Sequence, residues 1–207
     1  MKCMVTRQVL VLAVAGLCLL LSGCGRPLGG TATPSRFYVL TPVAVPASTG
    51  STTASKQAPI IGVALVELPD HLKREEIVTR SSENRMELAD LDRWAGQLDD
   101  NISNVVALNL SNMVSNDRVI VLPSSRSVPI SYRVHVDIAT FERIPSGDIR
   151  LIAVWQIFRG DGTRLLTMQK ADVSKPVVGE GYDAIVAAMS QALADLSRHM
   201  ADEILGY

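Results

Sequence analysis

Two hydrophobic periodicities follow one another in the C-terminal part of the chain, and together they limit the folds open to it. Residues 132–138 alternate apolar and polar side chains, residues 149–158 are apolar on both faces, and residues 165–172 form a further strand-like run. The turn sequences Pro-Ser-Gly-Asp and Gly-Asp-Gly separate these three segments. Such short runs, interrupted by glycine-containing turns, predict three consecutive antiparallel strands.

The second periodicity predicts a long amphipathic helix over about residues 182–205. Its apolar residues recur every three or four positions, at Ile185, Ala188, Met189, Ala192, Leu193, Leu196 and Met200. A helix with one apolar stripe must cover that stripe, and the apolar face of a sheet offers a matching surface. This part of the chain therefore predicts a sheet with a helix packed on it.

The residues upstream add further strands. We expect a short strand at 37–40 and another at 60–66, where an almost continuous apolar run indicates burial on both faces. Segments 77–80 and 85–88 predict a small hairpin, and residues 118–122 predict one more strand before a proline.

A second amphipathic helix is expected between the hairpin and the strand at 118–122. Asp92 is its expected N-cap, and its apolar stripe is Trp94, Leu98, Ile102, Val105, Val106 and Met113. At this spacing Trp94 is interpreted as a core residue, with ligand stacking as the alternative. The expected fold class is α/β, with a mixed β-sheet and two main amphipathic helices packed on it.

The N-terminus predicts an export signal that ends in a lipid-attachment cysteine. Lys2 and Arg7 are the only charges of the first seven residues, an uncharged apolar run follows at residues 9–21, and Leu-Ser-Gly-Cys ends at Cys24. About 13 residues at ~1.5 Å each cover about 20 Å, which is too short for a ~30 Å hydrocarbon core. The pattern is typical of a signal peptide, and Leu-Ser-Gly-Cys resembles the bacterial lipobox. An ordinary signal peptide with a chance cysteine is the alternative.

Cleavage before Cys24 would leave a mature chain without a free thiol. Cys3 and Cys18 leave with the signal, and Cys24 carries the diacylglycerol and acyl groups, so the fold must rest on core packing without disulfides. Several acyl chains on one residue give stable membrane anchoring. Gly25 follows Cys24, and by resemblance to enterobacterial sorting rules the absence of Asp at this position favours the outer membrane.

The expected organisation is a signal peptide at 1–23, a lipidated flexible tether at 24–36 and a single domain at 37–207. Within the domain, the polar loop 43–59 is expected to be mobile. The mature chain has 184 residues (207 − 23), enough for one domain with a substantial core. Without the two basic residues of the signal it has 18 basic (20 − 2) and 21 acidic side chains, a net charge of −3. Nucleic acid is not an expected partner, because no basic patch stands out.

The residue types that carry enzymatic or metal chemistry form no convergent pattern in the sequence. His71, His135 and His199 are spaced 64 residues apart, without the short spacings of metal ligands. The adjacent carboxylates at 75–76 and 99–100 would point about 100° apart on a helix, so neither pair would act as an acid/base couple. We therefore expect no catalytic residue, no metal site and no cofactor other than the covalent acyl anchor.

Several segments, in their order along the chain, resemble one family. They are Phe-Tyr-Val-Leu at 37–40, Ile-Gly-Val to Leu-Pro at 61–69 with Leu72 and Arg74 beyond, Ile-Val-Thr-Arg at 77–80, Trp94-Ala95, Val-His-Val-Asp-Ile at 134–138 with Phe141, Leu-Ile-Ala-Val-Trp at 151–155 and the alanine-rich last helix. Behind a lipobox, this series is similar to the ABC-type transport auxiliary lipoprotein family of PqiC-like lipoproteins. The resemblance covers about residues 37–205 and depends on the order of the segments, not on a single motif.

The resemblance implies a fold similar to the anticodon-binding-domain-like and TolB N-terminal group. It implies a role beside MCE-domain proteins, an ABC permease and an ATPase that move lipids between the two Gram-negative membranes. The chain would be a non-catalytic docking or receiving element at the outer membrane, with a homo-oligomeric ring as one option for its assembly. Two other interpretations stay open: a free-standing envelope lipoprotein that binds peptidoglycan or another envelope protein, and a hydrolase whose site forms only in the fold.

Overall fold

The computed structural model describes residues 33–43, 58–124 and 128–207 of the chain. The predicted signal peptide, Cys24 and most of the predicted tether lie outside the described residues. The central part of the predicted loop, residues 44–57, lies outside them as well.

Eight strands and two α-helices form the described part of the chain. The strands are β1 (Arg36–Tyr38), β2 (Ile61–Val63), β3 (Glu76–Ser82), β4 (Arg85–Trp94), β5 (Val119–Val121), β6 (Tyr132–Arg143), β7 (Ile149–Arg159) and β8 (Leu165–Lys175). The helices are α1 (Leu98–Met113) and α2 (Gly181–Leu205), and a short 3-10 turn covers Asp70–Leu72. The predicted order of elements and the α/β fold class are both confirmed.

All eight strands belong to one mixed sheet organised around β6. Along one edge of β6, β2 pairs in parallel near the start and β3 pairs in parallel at the end. Strand β5 continues the sheet beyond β2, while β4 and then β1 continue it beyond β3. On the other edge, β6, β7 and β8 form the predicted antiparallel meander.

The core lies between the helices and one face of this sheet. On β7, alternate side chains are buried from Ile149 to Ile157, and Trp155 is the largest of them. They pack with the stripe of α2, whose central residues Ala192, Leu193, Leu196 and Met200 have no exposed surface. Helix α1 contributes Ile102, Val106 and Leu110 to the same core. The predicted stripe of the last helix is thus confirmed, and Trp155 lies in the core.

The predicted start of the first helix is wrong. Strand β4 continues to Trp94, so Asp92 is a buried strand residue instead of an N-cap, and α1 begins only at Leu98 with Gln97 as its N-cap. The periodicity misled because Trp94 lies four residues before Leu98, a helical spacing, although the two residues are on different elements. A residue at the end of a strand can pack into the same core as the following helix.

An ion pair between a buried carboxylate and a partly buried arginine joins the β3–β4–β1 part of the sheet to β6. The carboxylate of Glu142 has no exposed surface, and its Oε1 accepts hydrogen bonds from Nε and Nη2 of Arg80 at 3.0 and 2.8 Å. Its Oε2 accepts from the backbone N–H of Phe141 at 2.9 Å. This pair lies where β3 meets β6, next to the backbone pairing of Thr79 with Arg143.

The segment that follows β1 crosses both helices and is held there by their side chains. Its backbone N–H groups donate to side-chain oxygens, from Leu40 to Asn101 at 2.7 Å, from Thr41 to Ser190 at 3.1 Å and from Val43 to Asn109 at 2.9 Å. A buried backbone N–H without a partner costs free energy, so these polar helix residues have a structural reason to face the core. The arrangement positions β1 at the edge of the sheet.

Candidate functional site

The face of the sheet opposite the helices is the first candidate surface, and we call it the open face. It consists of the outward side chains of β6, β7 and β8, and no helix of the described residues covers it. On β7 the outward side chains are Ile152, Val154, Gln156 and Phe158, each of them half-buried. Solvent-facing strand positions are usually polar, so a row with three apolar side chains is a departure that needs a reason.

Neighbouring segments extend this apolar row. Leu65 and Met168 are both largely exposed, and Met168 lies directly opposite Gln156 on β8. A shallow depression of about 170 Å³ lies between Leu65, His135, Val154 and Gln156, with Glu67 and Asp137 at its border. The ring of His135 meets the ring of Phe158 edge-on, with centroids 5.4 Å apart.

One pair of opposite charges on the open face is joined across two strands. Nε and Nη2 of Arg150 donate to the two carboxylate oxygens of Asp172 at 3.1 and 2.9 Å. These hydrogen bonds lower the pKa of Asp172, and the same contact raises the pKa of Arg150. The face therefore combines apolar side chains with charged ones: Arg150 and Asp172 pair with each other, and the exposed residues Asp137 and Lys170 lie on either side of Val154.

The second candidate surface is at the edge of the sheet, and we call it the β1 corner. It comprises β1, Val39 and the connection from β4 to α1, residues 95–97. Phe37 and Val39 point outward and are 65% and 53% exposed. Two clefts of about 430 and 270 Å³ flank this strand, and buried Trp94 lines both of them.

Asp92 holds β1 against β4. Arg36 and Tyr38 alternate with Phe37 along β1, so they lie on the side of the strand that contacts Asp92, although the Arg36 side chain remains 66% exposed. Nη2 of Arg36 and the hydroxyl of Tyr38 each donate to the Asp92 carboxylate at 2.8 Å. Burial acts to raise the pKa of Asp92, but these hydrogen bonds and the Arg36 charge outweigh it and lower the pKa.

We expect Asp92→Asn to destabilise the mature chain by about 1–3 kcal/mol near neutral pH, because charge-assisted hydrogen bonds to β1 are lost. The folded-state pKa of Asp92 lies below its ordinary value of 3.8, so its contribution is present above about pH 4 and is lost as the pH falls further. Denaturant midpoints of wild type and variant should therefore differ at about pH 7, and the difference should shrink as the pH falls below about 4. A difference that stays constant with pH would contradict the charge-based role of Asp92.

The residues singled out as chemistry-bearing in the sequence are spread over the fold. His71 lies in the 3-10 turn, His135 is exposed on the open face, and His199 is exposed on α2. Within residues 33–43, 58–124 and 128–207, no group of three or more His, Cys, Asp or Glu side chains is placed to hold a metal ion.

The two carboxylate pairs differ in their surroundings. Glu75 and Glu76 pair separately, with Arg93 at 2.9 Å and with Arg74 at 3.1 Å. Residues 99–100 both lie in the first turn of α1, where negative charge favours the helix dipole. In neither pair do the hydrogen bonds and ion pairs bring the two carboxylates together at one site.

Sequence reasoning assigned Asp92 to a helix N-cap and so missed its contact with β1, and it missed the pair Arg80–Glu142 altogether. An acidic residue inside an apolar strand segment is a usable signal for such a contact, because buried carboxylates require partners. The partner cannot be found in the same way, since Arg36 and Arg80 lie 56 and 62 residues away from the acids they bind.

None of the helices in the described parts of the chain is both long and apolar enough to cross a membrane. The fold and its two surfaces define a small α/β domain that presents apolar side chains on an open sheet face and at a sheet edge.

The chain belongs to the family described as the ABC-type transport auxiliary lipoprotein component, whose profile matches residues 38–201. This match confirms the predicted family. The chain is therefore an envelope lipoprotein and an auxiliary component of ABC-type transport. No curated protein is significantly similar in sequence.

Solved structures share the fold at low sequence identity. One crystal structure, of an uncharacterized protein, is 20% identical with a TM-score of 0.68, covering 83% of this chain and 99% of the other. Protein XCC0632 from Xanthomonas campestris, of the family DUF330, is 15% identical with a TM-score of 0.67, covering 83% and 95%. At these identities the similarity establishes the fold alone.

Proposed function

We propose that this chain is a non-catalytic, outer-membrane-anchored component of an MCE/ABC-type intermembrane lipid transport system. It docks an MCE-domain protein of the transporter on the periplasmic side of the outer membrane, with assembly into a homo-oligomeric ring as one way to present several docking surfaces. The family membership supports the link to a transporter, and the resemblance to PqiC-like lipoproteins supports the MCE system.

The observation that carries the docking role is the apolar row on the open face. Helices cover the other face of the sheet, so Ile152, Val154 and Phe158 are not needed on this side to fill the core. These three positions nevertheless carry apolar side chains, which are half-buried among neighbours on the same face. A protein partner that covers the row would remove this apolar surface from water, at roughly 25 cal/mol for each Å².

Anchoring places the domain where such a partner can reach it. Cys24 is the proposed site of acylation, and its acyl chains keep the chain at one membrane. Restriction to a surface raises the effective concentration of the domain near a membrane-spanning assembly, so that individually weak contacts suffice.

Ile152→Lys tests the docking role. Residue 152 lies directly opposite Asp172 on β8, so the new ammonium group has a carboxylate nearby and the fold should tolerate it. We expect recovery of the MCE-domain protein in an affinity pull-down from solubilised envelope to fall about tenfold, because a charge then lies within the apolar row. Thermal melting of the variant should stay within a few degrees of wild type.

Leu108→Lys is the matched control, because Leu108 is an exposed leucine on α1 away from the open face. Its pull-down should equal that of wild type. Equal recovery with Ile152→Lys would exclude the open face as the docking surface. Recovery of peptidoglycan or of an unrelated envelope protein in place of the MCE-domain protein would favour the free-standing lipoprotein.

We expect Cys24→Ser to abolish acylation and to leave uncleaved precursor, because the thiol is the nucleophile that receives the diacylglyceryl group in a lipobox. Mass spectrometry of the envelope fraction measures both outcomes. A mature N-terminus at another residue, without lipid, would rule out Cys24 as the anchor. A version exported by a substituted signal and lacking Cys24 should rescue a gene deletion poorly.

A further inference from the structure

We propose that the β1 corner rests on the surface of the bilayer in which the chain is anchored, with Phe37 and Val39 inserted among the lipid headgroups. This inference rests on the proposed anchor at Cys24 and goes beyond it, because an anchor alone does not determine which part of the domain faces the membrane. It assigns the open face to the protein partner and the β1 corner to the lipid.

The position of the corner along the chain is the first argument. Thr33, the first described residue, lies only nine residues after Cys24, and Phe37 follows four residues later. Nine residues span at most about 30 Å even when fully extended. Arg36, the start of β1, is twelve residues after Cys24, so it stays within about 40 Å of the acylated residue and is closer to it along the chain than the strands and helices that follow.

The exposed side chains of the corner are the second argument. Phe37 and Val39 are two residues apart and lie on the side of the strand that does not face Asp92. An aromatic and a branched aliphatic side chain exposed together on a sheet edge gain by leaving water for the boundary between headgroups and acyl chains. The backbone that presents them is held rigidly, since Arg36 and Tyr38 bind Asp92 on one side and Ala95 donates to the carbonyl of Tyr38 at 2.9 Å.

The charges of the corner indicate the kind of lipid surface. Arg36, the basic side chain of the corner, and the basic side chains of the segments next to it are engaged by acidic neighbours, in the pairs Arg36–Asp92, Arg93–Glu75, Arg74–Glu76 and Lys73–Asp70. Asp99 also lines the larger cleft and adds negative charge. The corner therefore offers no net positive charge for anionic lipids, and the contact is with a zwitterionic bilayer and does not depend on salt.

The C-terminal end of α2, which lies far from the β1 corner, offers a matched control position. Tyr182 at the start of α2 lies near Tyr38, with ring centroids 6.3 Å apart. The 25 residues of α2 then extend for about 37 Å to Leu205, which is 64% exposed, almost the same as Phe37. Leu205 thus has the exposure of Phe37 at a distant place.

The experiment uses the mature acylated protein reconstituted in phosphatidylcholine vesicles that carry a nitroxide quencher on the acyl chains. Because Cys24 is acylated and the mature chain has no other cysteine, Lys73→Cys or Asp202→Cys accepts a single fluorescent label, at the corner or near the distant end of α2. We expect strong quenching of the label at position 73 and little at position 202. Adding Phe37→Ser and Val39→Ser should reduce the quenching at position 73 about tenfold, whereas Leu205→Ser should not change it.

The outcomes separate the inference from the anchor. Protein that fails to float with the vesicles would overturn the anchor at Cys24, and the membrane contact with it. Floating protein with equal or no quenching at both labels would overturn the membrane contact and leave the anchor intact. Quenching at position 73 that disappears at high salt would also overturn it, because the contact would then be electrostatic.

Discussion

Leu193→Asp should leave most of the mature chain unfolded at room temperature. Leu193 lies at the centre of the stripe of α2 and has no exposed surface in the core. Losing a buried leucine costs about 2–5 kcal/mol, and burying a carboxylate without a partner costs several kcal/mol more. The sum is comparable to the whole stability of a domain, about 5–15 kcal/mol. Far-UV circular dichroism and a denaturant titration measure the loss.

Ala187→Asp provides the control on the same helix, because Ala187 is exposed. It introduces the same side chain at a cost of only about 0.7 kcal/mol in helix propensity. A variant at position 193 that retained the wild-type denaturation midpoint would contradict the position of this helix on the sheet, and with it the core described above.

Gly160→Ala should destabilise the chain by about 3 kcal/mol or more, although it adds a single methyl group. A Cβ built at position 160 would lie 1.6 Å from the carbonyl oxygen and 2.4 Å from the carbonyl carbon of Ile130. Both atoms belong to the backbone that leads into β6, so neither can move aside as a flexible side chain would. The start of β6 and the end of β7 would have to separate where Tyr132 pairs with Arg159.

Gly96→Ala is the matched control for this prediction. A Cβ at position 96 would meet no atom within 4 Å. The substitution should be neutral or stabilising by up to about 1 kcal/mol, because alanine reduces the freedom of the unfolded chain. Equal midpoints for the two alanine variants, measured by urea titration, would show that the chains at residues 130 and 160 are not in close contact.

The elements with a clear local pattern could be predicted from the sequence. The alternation in β6 and the stripe of α2 each involve neighbours two to four residues apart, so the pattern states which side chains share a face. The family could be predicted too, from the order of short segments along the whole domain. The boundary between β4 and α1 could not be predicted from the sequence, because Trp94 has a helical spacing to Leu98 although it lies at the end of a strand.

The sequence shows that residues 149–158 are apolar on both faces, but it does not show whether both faces are covered. A strand of this kind is either covered on both sides or exposed on one, and only the placement of α1 and α2 on the same side of the sheet decides between the two. That placement leaves Ile152, Val154 and Phe158 on the open face. The candidate docking surface therefore depends on tertiary structure, although its residues are apolar by sequence.

The sequence by itself was enough to predict the class of fold and the stripe that contains Leu193, since both depend on residues close together along the chain, and the export signal with Cys24 stays a prediction from the same kind of local pattern. Only the tertiary structure decided that Asp92 binds Arg36, 56 residues away, and that Gly160 touches the backbone at Ile130. Contacts between distant segments depend on how sheet and helices pack, and no local periodicity encodes which segments will meet.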